Sequence, residues 1–106
     1  MSVENPYLDR VWQQHYQDVP HEINPEEYDN LIDYISQSLK EFAPMVAFEN
    51  MGQKLTYRDL DRKSRDFAAW LQDKGLKPGD RMIIQLPNLL QFPVAMFGAI
   101  RAGVII

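Results

Sequence analysis

Apolar side chains recur at helical spacing from Tyr28 to Phe42. Tyr28, Leu31, Ile32, Ile35, Leu39 and Phe42 fall on one face. Asn24 reads as the cap of this helix, Pro25 as its first residue, and Glu26 and Glu27 suit its positive end. Pro44 stops it. Met45–Glu49 is β-prone, Asn50-Met51-Gly52-Gln53 supplies a turn, and Lys54-Leu55-Thr56 returns, so 45–56 is predicted to be a hairpin. Thr56 then caps a second helix, with Asp59 three residues on as an imperfect capping box. Leu60, Ser64, Phe67, Ala68 and Leu71 mark its inner face. Gly75 ends it in a left-handed cap, and Leu76 folds back onto its last turn.

Lys77-Pro78-Gly79-Asp80 is a tight turn, and Arg81–Leu86 reads as a mostly buried strand. Pro87-Asn88 leads into a helix from about Leu90 to Ala102. Pro93 is tolerable only near its start. Phe92, Val94, Met96, Phe97 and Ile100 make this helix apolar nearly all round, so burial on several sides is expected. Gly103 ends it, and Val104-Ile105-Ile106 begins another strand. Strand, helix, strand is the βαβ unit of a parallel sheet, which needs cover on both faces. The expected fold class is α/β: helix, β-hairpin, helix, then a βαβ unit of an unfinished parallel sheet. Residues 1–24 form an N-terminal arm with Trp12, Tyr16 and Val19 scattered among polar residues, room for a short helix from Leu8 to Tyr16, and a break at Pro20. Such an arm needs a surface to stay ordered, either its own domain or a second subunit. Residues 25–106 read as the incomplete first part of a larger domain.

The chain has 106 residues. Its 11 basic and 15 acidic side chains give a net charge of −4. That excess argues against a nucleic-acid binder. With 0 cysteines there is no disulfide scaffold, thiolate metal site or cysteine nucleophile. The first ten residues carry no base before Arg10, and no apolar run follows, so no secretory signal is expected. Met82–Ile100 is a stretch of 19 uncharged residues. Gln85, Pro87, Asn88, Gln91 and Pro93 make strand, turn and buried helix a better reading than a membrane span.

Candidate chemistry is sparse. Arg58, Arg62 and Arg65 form a stripe, but Asp59, Asp61, Asp66 and Asp73 interleave, and Asp59 precedes Lys63 in the favourable order for a pair. This is a solvated charged face rather than a phosphate site. Asp29 and Asp33, one turn apart, are read the same way. Gly98 to Gly103 has the glycine spacing of a phosphate loop, but Val104 follows where Lys must stand and the glycines close a helix. His15 and His21 are six apart in a polar arm and read as surface residues. No spacing assigns a catalytic, cofactor-binding or metal-binding residue.

Leu55-Thr56-Tyr57-Arg58-Asp59-Leu60 resembles the first core motif of acyl-adenylate-forming enzymes, L-[TS]-Y-x-E-L, with Asp59 where Glu is usual. Gly75-Leu76-Lys77-Pro78-Gly79-Asp80-Arg81 is similar to that family's G-[LV]-x-x-G-D-x-V stretch, with Met82 for the common Val. Pro87-Asn88, Phe92 to Gly98 and Arg101-Ala102-Gly103 match a third pattern of the family. The arm (Val11-Trp12, Asp18-Val19-Pro20, Glu22-Ile23-Asn24-Pro25), Phe48–Gly52 and Leu89–Gly98 resemble the start of bacterial long-chain fatty-acid–CoA ligases.

The resemblance implies that 25–106 is the incomplete first part of the large N-terminal domain of an acyl-CoA ligase. The intact enzyme would activate a fatty acid with ATP and Mg2+ through an acyl-adenylate and pass it to coenzyme A. It would be cytoplasmic and meet its substrate at the inner membrane surface. The family's nucleotide loop, adenine and ribose motifs and catalytic lysine have no counterpart here, so the chain alone is expected to be inactive and to bind no ATP, Mg2+ or CoA. Two alternatives stand: a short interaction module that completes a partner's sheet, or part of a fatty-acyl-AMP ligase. A homo-oligomer through the arm or the exposed sheet edge is also expected.

Overall fold

The computed structural model describes residues 5–106. Helix α1 is Pro6–Asp9, followed by a 3-10 helix at Val11–His15. Then come α2 (Leu31–Glu41), β1 (Val46–Asn50), β2 (Gln53–Thr56), α3 (Tyr57–Asp73) and α4 (Gln91–Arg101).

The hairpin follows from its turn. Met51 and Gly52 both have positive φ, 50° and 79°, the two-residue loop whose twist matches antiparallel strands. β1 and β2 pair in register from Asn50–Gln53 to Val46–Thr56, with an irregularity between Val46 and Phe48. The chain passes directly from β2 into α3.

α3 and α4 form the main packed pair. Gly98 makes their close approach, because a Cβ there would meet Phe67 Cδ1 at 2.6 Å and the Ser64 carbonyl oxygen at 3.0 Å. One core cluster joins Ala68, Leu71, Ala99, Ala102 and Val104, with Phe67, Leu76 and Met82 against it. A second joins Leu39, Leu55 and Leu60, uniting α2, β2 and α3. Burying Leu60 and Leu71 stabilises the fold by roughly 1.5–3 kcal/mol each.

α2 starts later than Asn24. Asn24 accepts from the Glu26 amide at 3.1 Å and closes a single turn. Asn30 is the working cap, extended at φ −161° and accepting from the Asp33 amide at 2.8 Å. A cap residue must be extended, so one continuous helix cannot keep both caps. The cap adjoining Leu31, Ile32, Ile35 and Leu39 prevails.

The strand expected at Arg81–Leu86 is reduced to a parallel bridge between Arg81 and Ile105. The Met82 amide donates to the Ile105 carbonyl, and the Ile105 amide to the Asp80 carbonyl, each at 2.8 Å. Val104–Ile106 offers only a short stretch to pair with, and no described element covers the outer face. Met82 and Ile84 are half-buried while Ile83 is 91% exposed, so the segment is not mostly buried. α4 likewise buries only Pro93, Gly98 and Ala99. Phe92, Val94, Met96, Phe97 and Ile100 remain half-covered.

The arm folds on itself. Arg10 pairs with Glu22, Gln13 Nε2 donates to the His21 carbonyl at 2.9 Å, and Tyr16 meets His21 edge-on at 5.6 Å. Tyr7, Leu8, Val19 and Ile23 stay exposed, Ile23 at 90%. The radius of gyration is 19.0 Å, against about 13 Å for a compact domain of this length. The arm therefore stands off the core rather than burying its apolar residues on it.

Candidate functional site

The three motif stretches meet in space. Thr56 and Asp59 form a reciprocal capping box: the Asp59 amide donates to Thr56 Oγ1 at 3.1 Å, and Asp59 Oδ2 accepts from the Thr56 amide at 3.4 Å. Thr56 Oγ1 also donates to Asp59 Oδ2 at 2.9 Å. These Thr56 side-chain and backbone hydrogen bonds hold the Asp59 carboxyl below its ordinary range, with help from nearby Arg62 and Lys63. Asp59 therefore serves the helix terminus that its spacing implied. The ion pair it makes is with Arg62, at 3.7 Å.

Gly75 and Gly103 close α3 and α4 in the same manner. Each has positive φ, 88° and 73°. The Leu76 amide reaches the Leu71 carbonyl at 3.1 Å, and the Val104 amide the Ala99 carbonyl at 2.9 Å. The Lys77–Asp80 turn is tied by the Lys77 amide to Asp80 Oδ2 at 2.7 Å. It docks on the second cap: the Gly79 amide donates to the Gly103 carbonyl at 2.9 Å, and a Cβ on Gly103 would lie 3.0 Å from Pro78 Cβ. The second motif thus holds the end of the third.

A polar network that spacing did not reveal bolts α3 to α4. Arg101 Nε donates to Ser64 Oγ at 3.0 Å, and an Arg101 terminal nitrogen reaches Asp61 Oδ1 at 2.5 Å. Ser64 is fully buried and donates to the Asp61 carbonyl at 3.0 Å. Arg65 shares the same Asp61 oxygen at 3.1 Å. Ser64 on an otherwise apolar face was the available signal; its partner lies 37 positions on. The Arg58–Arg62–Arg65 stripe is solvent-exposed, as its interleaved acids imply.

A cleft of about 580 Å³ opens between β2, α3 and α4. Leu55, Phe67, Leu90 and Val94 lie along it, and Lys54 and Lys63 stand at its exposed margin.

Elsewhere the chemistry is thin. His15 and His21 are exposed, and His21 faces Tyr16 rather than His15. Asp33 accepts from Gln37 on the surface of α2. Partial burial, and then the nearby Glu27 carboxylate, push the Tyr28 hydroxyl up from its usual range. Among the described residues no group of three or more His, Cys, Asp or Glu could hold a metal. No helix there is long and apolar enough to cross a membrane.

A chain that places these motifs as helix caps around a hairpin and a crossover helix has the first elements of an adenylate-forming α/β domain. The family model described as AMP-binding enzyme matches residues 35–106, and the chain belongs to that family. The long-chain-fatty-acid–CoA ligase of Escherichia coli O157:H7 is 50% identical over 101 residues, 93% of this chain and 18% of the relative. The ligase of that name from Bacillus subtilis (strain 168) is 34% identical over 106 residues, again 18% of its length. The chain thus spans about a fifth of these relatives. Among solved structures, VinN with 3-methylaspartate superposes with a TM-score of 0.68 at 37% identity, over 73% of this chain and 22% of that one. The fatty acyl-adenylate ligase from L. pneumophila, in complex with acyl adenylate and pyrophosphate, gives 0.64 at 26% identity, over 79% and 16%.

Proposed function

We propose that this chain is the N-terminal portion of a long-chain fatty-acid–CoA ligase, with residues 1–24 as its arm and 25–106 as the first part of its large domain. The observation that carries this reading is the 50% identity to such a ligase over 93% of the chain. The intact enzyme would use ATP and Mg2+ to form an acyl-adenylate and then transfer the acyl group to the CoA thiol. It would work in the cytoplasm and take fatty acid at the inner membrane surface. The described residues supply scaffold: caps, a crossover helix and an interhelical ion pair. The binding of nucleotide, metal and CoA falls to other residues of that enzyme, and no catalytic residue is proposed in this chain. Identity to the CoA ligases exceeds the 26% identity to the fatty acyl-adenylate ligase, which favours CoA over a carrier protein as acceptor.

The test is to express the whole open reading frame that contains this chain. Its product is supplied with ATP, Mg2+ and palmitate, with either CoA or an acyl carrier protein. Palmitoyl-CoA together with AMP is the expected result. Loading of the carrier alone, or no adenylate formation with any fatty acid from eight to eighteen carbons, would overturn the proposal.

A further inference from the structure

A separate cavity, of about 320 Å³, opens where α2, β1, α3 and α4 meet. Its walls are rings from all four elements: Tyr34 on α2 and Phe42 at its end, Phe48 on β1, Tyr57 at the start of α3 and Phe97 on α4. Ile35, Leu39 and Leu60 line its base, and none of the lining residues is charged. Tyr34, Phe42 and Phe48 are exposed, and Phe42 and Tyr57 lean together with centroids 6.0 Å apart. The volume lies at the lower end of the roughly 300–1,000 Å³ typical of small-molecule sites.

The charge at its mouth has one sign. Tyr28 packs edge-on against Tyr34 with centroids 4.8 Å apart. Burial raises the Tyr28 hydroxyl pKa, and the carboxylates of Glu27, Glu41 and Asp33 raise it further, so all three act at this end of the cavity. Among the described residues none of the three is in an ion pair, and Asp33 accepts from the neutral Gln37 amide. The basic residues nearest in sequence, Lys40 and Arg58, are exposed and line no part of the cavity. Arg101, one turn beyond Phe97, is held by Asp61 and Ser64. Ring faces carry the negative part of the aromatic quadrupole and attract a cation lying within about 6 Å of the centroid. Rings and carboxylates therefore favour the same ligand, one with a compact positive head and an apolar body. We propose that this cavity binds a small organic ammonium ion, its head over the rings of Tyr34, Phe42 and Phe48 on the side of Asp33 and Glu41, and its apolar part on Leu39 and Leu60. The inference goes beyond the ligase reading and survives or fails separately from it.

The probes are benzyltrimethylammonium and, as an anion of similar size, benzenesulfonate, each titrated into the 106-residue chain. Physiological salt screens the general attraction of a cation to a chain of net charge −4. Binding is read from the methyl NMR signals of Ile35, Leu39 and Leu60, which line the cavity. The cation should give saturable shifts at these methyls and the anion none. The F48L variant stays apolar but loses one ring, and it should bind the cation about threefold more weakly, the size of one exposed cation–π contact. The D33N/E41Q variant should bind it about fivefold more weakly, the size of two exposed ion pairs. Phe48 and Glu41 are exposed and Asp33 is half-buried, so circular dichroism should show both variants folded. Equal shifts with benzenesulfonate, or undiminished affinity in either variant, would overturn the proposal. So would cation-induced shifts spread over the acidic surface without saturation at the three methyls. Methyl shifts that follow protein concentration alone, with a dimer mass by light scattering, would show the cavity filled by a second copy and would overturn it too.

Discussion

Replacing Gly98 by alanine sets two known effects against each other. Alanine is the better helix former and returns about 1 kcal/mol in a helix interior. The added methyl, however, enters the α3–α4 seam. It would sit 2.6 Å from Phe67 Cδ1, 3.0 Å from Phe67 Cβ and 3.0 Å from the Ser64 carbonyl oxygen. The Phe67 ring is stacked on Trp70, and the Ser64 carbonyl is α3 backbone, so neither yields easily. Overpacking of this kind costs about 1–3 kcal/mol, and two hindered contacts place it in the upper half of that range. The expected net destabilisation is about 1–2 kcal/mol, which lowers Tm by roughly 5–10 °C for a domain of this size. Urea unfolding followed by far-ultraviolet circular dichroism measures it. A G98A protein as stable as the parent, or more so, would refute the close approach of α3 and α4 at this position.

Three further outcomes follow from the caps and the network. Gly75→Ala should cost about 1 kcal/mol, since its positive φ is strained but nothing lies within 4 Å of a Cβ there; Gly103→Ala should cost about 2–3 kcal/mol, because the methyl also meets Pro78. Equal midpoints in urea for the two variants would contradict the docking of the 77–80 turn on Gly103. The lowered Asp59 pKa means that its capping contribution is present above the unfolded value of about 3.9 and is lost as pH falls through the folded value. Thr56→Ala should raise the Asp59 midpoint and cost about 1 kcal/mol at neutral pH, read by carboxyl NMR titration and by unfolding; an unmoved midpoint would count against the capping box. A double-mutant cycle of Asp61→Asn and Arg101→Met should give a coupling of about 1–2 kcal/mol. That is less than for a fully buried pair, because the side chains are 26% and 13% exposed; a coupling near zero would mean that the bond does not form in solution.

What was legible in the residues is local. The Met51-Gly52 turn, the Thr56–Asp59 box and the glycine caps each depend on neighbours within five positions, and all stand where their chemistry put them. The start of α2 was misplaced at Asn24 because Asn24 and Asn30 are the same cap residue type, and the apolar repeat beside Asn30 decides in favour of the later one. The Asp61–Ser64–Arg101 network was illegible because its members come from two helices, and no rule of spacing reaches from one to the other. The extent of burial at Arg81–Leu86 and along α4 was overstated because apolar pattern reports what a surface can bury, not whether a covering element is present. The family resemblance was legible for the same local reason: the matching positions cap helices and shape turns.

The central proposal is that this segment would supply scaffold, with adenylating chemistry left to other residues of the intact protein. The most direct measurement is pyrophosphate release by the purified 106-residue chain with ATP, Mg2+ and palmitate, run beside the product of the whole reading frame. The account predicts release dependent on palmitate from the longer protein and none above the no-enzyme rate from the chain alone. Release from the chain that scales with its concentration would contradict it.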